Sequence, residues 1–285
     1  MISYAGNHED VLLNRVFAGQ TNGQYIDVGG YHPRYGSVTY HFYQQGWSGV
    51  SVEPIPERFQ LFQSERPRDV NLNVGLSDQA GERLFYQVVG EEALSTFVAA
   101  QAEEYRAAGR TVIERSLPVR TLADICAQHV EGTIDFISID VEGHECAVLI
   151  GGDWQRWRPR VVVIEATRPW TTIPTHHLWE DILLGADYRF GTFDGCNRYY
   201  VREEDRELLS RLAVPVNIFD AYEPYHYVSR IAQLEATLAE CQAQLAQVEV
   251  LSRVVQLARQ AVQRTGRVVL QGLRALKGRR TNSAR

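Results

Sequence analysis

The stretch YIDVGGYHP, residues 25–33, carries an apolar run into an aspartate and two glycines. In open α/β sheets, a buried strand that stops in Gly-Gly before a helix usually brings its backbone close to a ligand. Amphipathic segments separate it from further apolar, β-rich runs at residues 49–53, 70–76, 135–140 and 160–166. This alternation predicts a doubly wound α/β fold, in which a mostly parallel sheet carries helices on both faces.

Two segments depart from this rhythm. Residues 188–201 have β-rich arms around a turn that contains glycine, which predicts a hairpin that closes the sheet. Residues 90–116 are charged and helical in pattern, and we expect them to form a lid or an insertion.

The composition excludes several classes of protein. Residues 250–285 carry nine basic residues and no acid, so the rest of the chain has a net charge of −15, which argues against a nucleic-acid partner. The four cysteines lack zinc or disulfide-framework spacing, the N-terminus lacks the pattern of a signal peptide, and no apolar run could span a bilayer. We therefore expect a cytoplasmic protein.

The C-terminal region changes in character. We expect an α/β domain over residues 1–225, a coiled-coil helix over residues 226–252 and a basic amphipathic tail over residues 253–285. Spacings of three and four residues separate Ile231, Leu234, Leu238, Cys241, Leu245 and Val248. They predict a coiled coil and hence a homo-oligomer, although one amphipathic helix packed on its own domain would show the same stripe.

The basic tail has three interpretations. It could lie on the inner face of an anionic membrane as a peripheral anchor. It could instead bind an acidic protein partner such as a glycosyltransferase, or simply fray. Its composition alone does not separate them.

A second acid stands near the glycine turn in the expected fold. Glu53 ends the next strand, 26 residues after Asp27, near the spacing at which an acid binds ribose hydroxyls. A pyrophosphate would need a G-x-G-x-x-G turn, and Tyr31-His32-Pro33 interrupts it here, which favours S-adenosylmethionine over NAD. The aromatic face of Tyr31 could stabilise a sulfonium. The residues predicted to bind the cofactor are Asp27, Gly29, Gly30, Tyr31, Glu53, Asn73 and Asp140.

The chain resembles the FkbM-type S-adenosylmethionine-dependent methyltransferases over about residues 2–200. The resemblance rests on the ordered motifs DVG at residues 27–29, GWSGV at 46–50 with EP at 53–54, and DVEGHE at 140–145. It implies a class I, Rossmann-like methyltransferase fold and O-methylation of a sugar or another hydroxylated product. Members often have Ala where this chain has Gly30.

Such a reaction needs a base for a weakly acidic hydroxyl, or a metal ion. Asp140, Glu142 and His144 are the catalytic candidates, with His144 as the base because its ordinary pKa lies near neutrality. If a metal is used, we expect Mg²⁺ on Asp140, Glu142 and Glu165. Glu142 and Glu145 could alternatively be charges that cap a helix.

Two other functions stay open at this point. The first is a non-catalytic interaction protein, in which the cofactor site is degenerate and the coiled coil and basic tail recruit partners. The second is a nicotinamide-dependent oxidoreductase. The expected acceptor of an enzyme is a hydroxyl of a sugar or glycan from polysaccharide or glycolipid biosynthesis, and the sequence does not identify it further.

Overall fold

Three sheets contain the strands that the structure describes. The structure is a computed structural model that describes residues 1–281, with side chains described for residues 1–264 and for Arg267. The strands are β1 (Ile2–Ser3), β2 (Gln24–Val28), β3 (Ser48–Val52), β4 (Val70–Leu72), β5 (Gly75–Leu76), β6 (Gly81–Val88), β7 (Val112–Arg120), β8 (Phe136–Ile139), β9 (Val161–Glu165), β10 (Tyr188–Phe193), β11 (Asn197–Arg202) and β12 (Glu223–Pro224).

The helices alternate with the strands of the central sheet. They are α1 (Glu9–Val16), α2 (Tyr40–Gln44), α3 (Pro56–Glu65), α4 (Ala99–Ala107), α5 (Leu122–His129), α6 (Glu145–Ile150), α7 (Glu180–Gly185), α8 (Leu209–Leu212) and α9 (Tyr225–Thr281). Pro56 begins α3, where its fixed φ suits the first helical turn and no N–H is required. The chain is therefore a mixed α/β protein with a long C-terminal helix.

The central sheet has seven strands in the order β10-β11-β9-β8-β2-β3-β4. All neighbouring pairs are parallel except those of β11, which runs antiparallel to both β9 and β10. The sheet is thus mostly parallel but mixed. The chain adds β3 and β4 on one side of β2 and later returns to add β8 and β9 on the other side. The strand order therefore reverses between β2 and β8, where such sheets place ligands.

Alternating side chains of the strands build a hydrophobic core on each face of the sheet. Ile26 and Val28 face one cluster, which α5, α6 and α7 complete. Tyr25 faces the other cluster, together with Phe136, and α1, α2 and α8 cover it. Side chains two residues apart on a strand share a face, so each face of the sheet carries its own apolar set. Helices cover both faces, as expected.

The sequence predicted the central strands and the closing hairpin correctly, but two expectations were wrong in part. Residues 70–76 form two short strands in different sheets, β4 and β5, rather than one. Residues 90–116 are not a helical insertion throughout, since β7 begins at Val112 and pairs with β5 and β6 in a three-stranded sheet. The helical periodicity of α4 concealed the start of this strand.

The chain divides into two compact units, residues 1–226 and residues 227–285. The second unit is the body of α9, a continuous helix within the described residues. Most side chains of the predicted basic tail lie outside the residues whose side chains are described. Among the described helices, none combines the length and apolarity needed to cross a membrane.

Candidate active site

The strand register brings four predicted site residues into one row at the carboxyl edge of the sheet. Val28 of β2 lies opposite Val52 of β3 and Ile139 of β8, and Ile139 lies opposite Ile164 of β9. The residues that follow these four are therefore neighbours in space. They are Gly29, Glu53, Asp140 and Glu165.

A cavity of about 400 Å³ opens above this row. Asp27, the Gly29–Tyr31 turn, Glu53, Asp140 and Glu142 line it. Its size falls in the range of small-molecule sites, and its walls combine apolar surface with a few converging polar groups. Of the predicted cofactor residues, all except Asn73 line the cavity.

Gly29 lines the cavity and is also required by the packing around it. Its φ is +83°, and an added Cβ would lie 1.8 Å from the carbonyl oxygen of Asp140. A Cβ at Gly30 would lie 2.7 Å from the ring of Phe62. The N–H groups of both glycines donate to the carbonyl of Val52 at 3.0 and 3.3 Å. The glycine turn thus locks together the ends of β2, β3 and β8.

Glu53 is buried and held by the backbone. The N–H of Tyr31 donates to its Oε2 at 2.8 Å, and the N–H of Ile55 donates to its Oε1 at 2.7 Å. Burial outweighs these bonds and raises the pKa of Glu53 to about 8. Asn73 donates to the carbonyls of Glu53 and Pro54 at 2.9 and 3.0 Å, so it braces this turn instead of contacting a ligand.

Tyr31 differs in part from the expectation. It lines the cavity in the left-handed region, at a φ of +52°. The guanidinium of Arg58 lies over its ring, 4.5 Å from the ring centre. One aromatic face is therefore already paired with a cation, and only the other could meet a sulfonium.

A buried network that the sequence did not reveal holds Asp27. The hydroxyl of Thr39 donates to Asp27 Oδ2 at 2.6 Å, and the fully buried Arg66 donates to Thr39 Oγ1 at 3.1 Å. Arg66 also donates to Tyr25 and forms an ion pair with Asp69. Burial raises the pKa of Asp27 despite these partners. No local pattern marks Arg66, because all its partners named here except Asp69 lie far from it in the sequence.

Asp140 and Glu142 both line the cavity, but the pKa of Glu142 is raised further than that of Asp140. Asp140 is exposed to the cavity, but protein surrounds it at the cavity floor. The resulting loss of solvation, together with the charge of Asp27, raises the pKa of Asp140 to about 6. Burial and the charge of Asp140 raise the pKa of Glu142 to about 9. Glu142 also has a φ of +54° and a buried Oε2 without a hydrogen-bond partner. At neutral pH Glu142 therefore holds its proton more strongly than Asp140, and Asp140 is the more readily ionised of the two.

The magnesium set predicted from the sequence does not come together. Glu165 is buried outside the cavity lining, and burial with the charge of Asp140 raises its pKa to about 11. Glu145 accepts the N–H groups of Val141 and Gly143 at 3.2 and 3.0 Å, so it holds the loop that precedes α6. Throughout residues 1–281, no three His, Cys, Asp or Glu side chains are placed to hold a metal ion.

His144 does not line the cavity. Its Nε2 lies 3.1 Å from the hydroxyl of Ser77, and its ring packs beside Phe97 with 5.3 Å between centres. Burial, with the nearby charge of Arg83, lowers the pKa of His144 to about 4. The imidazole is thus neutral and turned away from the other candidates, so the geometry gives no support to His144 as the base.

This constellation coincides with a family match. A family model described as the methyltransferase FkbM domain matches residues 27–190. The chain belongs to the FkbM methyltransferase family. The match begins at Asp27 and includes Glu53, Asp140 and Glu142, which confirms the resemblance seen in the sequence. No curated protein matches the chain.

Two further features shape the cavity of the FkbM domain. An apolar wall made by Ile55, Leu76, Phe85 and Phe97 closes one side of the cavity, and Phe85 belongs to the three-stranded sheet. Trp170 stands at the cavity with a φ of +57° and 86% of its surface exposed. The wall includes residues of the three-stranded sheet, and Trp170 lies in the loop after β9. The pattern of the central strands alone therefore could not predict that either contacts the cavity.

Proposed function

We propose that this FkbM methyltransferase uses S-adenosylmethionine to methylate a hydroxyl of a sugar or glycan. The observation that carries the proposal is the buried Glu53 carboxyl, which lines the cavity beside the locked Gly29–Gly30 turn. The order of the seven strands, with β11 alone antiparallel, also agrees with the class I methyltransferase fold that the resemblance implies.

The cavity fits an adenosine-type ligand. Each oxygen of Glu53 accepts one backbone N–H, so each keeps a second acceptor position for a ribose hydroxyl. The wall that contains Phe85 and Phe97 offers an apolar surface for an adenine. This wall, and not Asn73, would contact the adenine.

Asp140 is the base in this proposal. S-adenosylmethionine, when bound, supplies a methyl carbon on a sulfonium whose sulfur leaves with the bonding electron pair. The acceptor oxygen forms the new bond to that carbon, and its proton passes to Asp140, which is the more readily ionised of the two cavity carboxyl groups at neutral pH. Glu142 is protonated there and donates a hydrogen bond that orients the acceptor.

The acceptor end is open and aromatic. Trp170 presents its indole at the mouth of the cavity. The N–H of Arg168 donates to the carbonyl of Ile173 at 2.8 Å, and the N–H of Thr171 donates to the carbonyl of Arg168 at 3.0 Å, which fixes this loop. An exposed, fixed aromatic face of this kind suits the apolar face of a sugar ring.

The decisive experiment is a methyl-transfer assay with labelled S-adenosylmethionine. The acceptors are glycan and lipid-linked oligosaccharide fractions from the source organism, and Asp140→Asn is the inactive control. Calorimetry with S-adenosylhomocysteine and with NAD tests the cofactor separately. Binding of NAD alone, or of neither ligand, would refute the cofactor assignment.

A further inference from the structure

The exposed apolar stripe of α9 is longer than its first heptads indicate. Its first five aliphatic residues are between 52% and 65% exposed: Ile231, Leu234, Leu238, Leu245 and Val248. Cys241 lies on the same stripe and is exposed. After Val248 the spacing is three, four, three and four residues, through the exposed Leu251, Val255, Ala258 and Val262. The stripe is therefore about 48 Å long at 1.5 Å per residue.

Two successive steps of three residues, from Leu245 to Val248 and on to Leu251, are a stammer in the heptad pattern. Without this stammer, strict heptads would place Ser252 and Arg259 on the stripe. With it, the stripe stays apolar to Val262 and Arg259 moves to its border. An exposed apolar stripe of this length is unfavourable in water unless a partner covers it.

The charges on α9 indicate which partner fits. Residues 231–249 contain three acids and no base, whereas residues 250–264 contain three arginines and no acid. Two antiparallel copies would place each acidic half beside the basic half of the other copy. A parallel pair would place like charges side by side. The helix is thus complementary to itself in one orientation.

We propose that α9 forms an antiparallel coiled coil with α9 of a second copy of this chain over residues 231–262. The two-fold axis passes near residues 246 and 247, so that Ile231 lies opposite Val262 of the second copy. Leu234 then lies opposite Ala258, and their neighbours Glu235 and Arg259 meet at the border of the stripe. This pairing does not depend on the proposed methyl transfer.

Light scattering on the full-length protein tests the pairing. We expect a dimer, and we expect Leu238→Glu to make it monomeric because a charge on the stripe would be buried. Ala239→Glu is the matched control, since it places the same charge one residue off the stripe and leaves the dimer intact. A monomeric wild type, or a dimer that survives Leu238→Glu, would overturn the proposal.

Cysteine oxidation tests the orientation. Cys241 lies opposite Leu251 of the second copy in the antiparallel pair, whereas a parallel pair places each residue opposite its own copy. In a background with Cys146→Ser and Cys196→Ser, we expect a disulfide-linked dimer for Leu251→Cys. Neither the background protein nor Cys241→Ser combined with Leu251→Cys should link. A disulfide-linked dimer in either of these two proteins would show a parallel pair and contradict the proposal.

A lipid surface is the other chemistry that could cover the stripe. Sedimentation with vesicles that contain anionic lipid decides this point. The stripe would be assigned to lipid, and the dimer refuted, by two results together: the wild type is monomeric in solution and binds vesicles, and Leu238→Glu no longer binds them.

Discussion

At the carboxyl end of β3, Glu53 is buried and lines the cavity, where we propose that it binds a ribose diol. Because its pKa is raised to about 8, binding that favours the ionised carboxylate should strengthen as the pH rises through about 8. We expect the dissociation constant of S-adenosylhomocysteine to fall between pH 6.5 and pH 8.5. Calorimetry at these two values measures it.

Glu53→Gln should weaken the same binding about 10- to 100-fold, which corresponds to about 1.5–3 kcal/mol for an unpaired diol. The pH dependence above should also disappear. Glu57→Gln is the control, because Glu57 is an exposed acid of α3 that pairs with Arg115 of β7. Unchanged affinity in Glu53→Gln would remove the ribose assignment.

Asp140 and His144 give opposite expectations for the chemical step. Asp140→Asn should lower the single-turnover rate about 10²- to 10⁴-fold, because the proton acceptor is lost. His144→Ala should keep the rate within about threefold, since its ring faces Ser77 rather than the cavity. A large loss in His144→Ala with unchanged S-adenosylhomocysteine affinity would return the base role to His144.

The row of Gly29, Glu53 and Asp140 could be predicted because parallel strands place their ends at one edge. The direction of His144 could not be predicted, since it depends on Phe97 and Ser77, which lie far from it in sequence. The same reason applies to Arg66. A local pattern gives the position of a residue along its strand but not the partners that turn its side chain.

Among the turns, the one at Gly29 joins the carboxyl ends of β2 and β8. Gly29→Ala should destabilise the protein by at least about 2 kcal/mol more than Gly132→Ala. Both glycines have a φ of +83°, but a Cβ at Gly132 meets nothing within 4 Å, so this control isolates the clash with Asp140. Urea unfolding of both variants measures the difference, and equal losses would contradict the locking role.

The secondary-structure elements could be predicted where the sequence shows a single, uninterrupted hydrophobic pattern. The apolar runs of β2, β3, β8 and β9 are buried on both faces and gave unambiguous strands. Residues 70–76 form one apolar, β-rich run in the sequence, although the chain leaves the central sheet after β4. The run does not reveal this break, because a change of partner sheet does not alter how apolar the residues are. The exposed outer residues of β7 similarly resembled a charged helix.

For the whole molecule, several buried groups link stability to pH. Burial raises the pKa of Glu9 and of Glu53 to about 8 and that of Glu145 to about 7, so the folded state holds protons that the unfolded chain has released. Stability therefore falls as the pH rises from about 4.5 to about 8. His41 and His144, with pKa values lowered to about 4, act oppositely, but only below about pH 6.5.

At pH 6.5 the histidines of the unfolded chain have already lost about half of their protons, so above this pH the effect of the carboxyl groups dominates. We therefore expect the free energy of unfolding to decrease from pH 6.5 to pH 8.5 at constant ionic strength. Urea denaturation of the ligand-free protein measures it. A free energy that rises over this interval would show that these carboxyl groups are ionised in the folded protein.

The exposure of Trp170 gives the protein an optical reporter of its own. Of the five tryptophans, all of which the structure describes, Trp47, Trp154 and Trp179 are buried and Trp157 is half-buried. Acrylamide should therefore quench the red-edge emission of Trp170 first, and Trp170→Phe should remove that component. A glycoside that binds against the indole should protect Trp170 from acrylamide and shift its emission to shorter wavelength. Fluorescence could then rank acceptors before any methylated product has been identified.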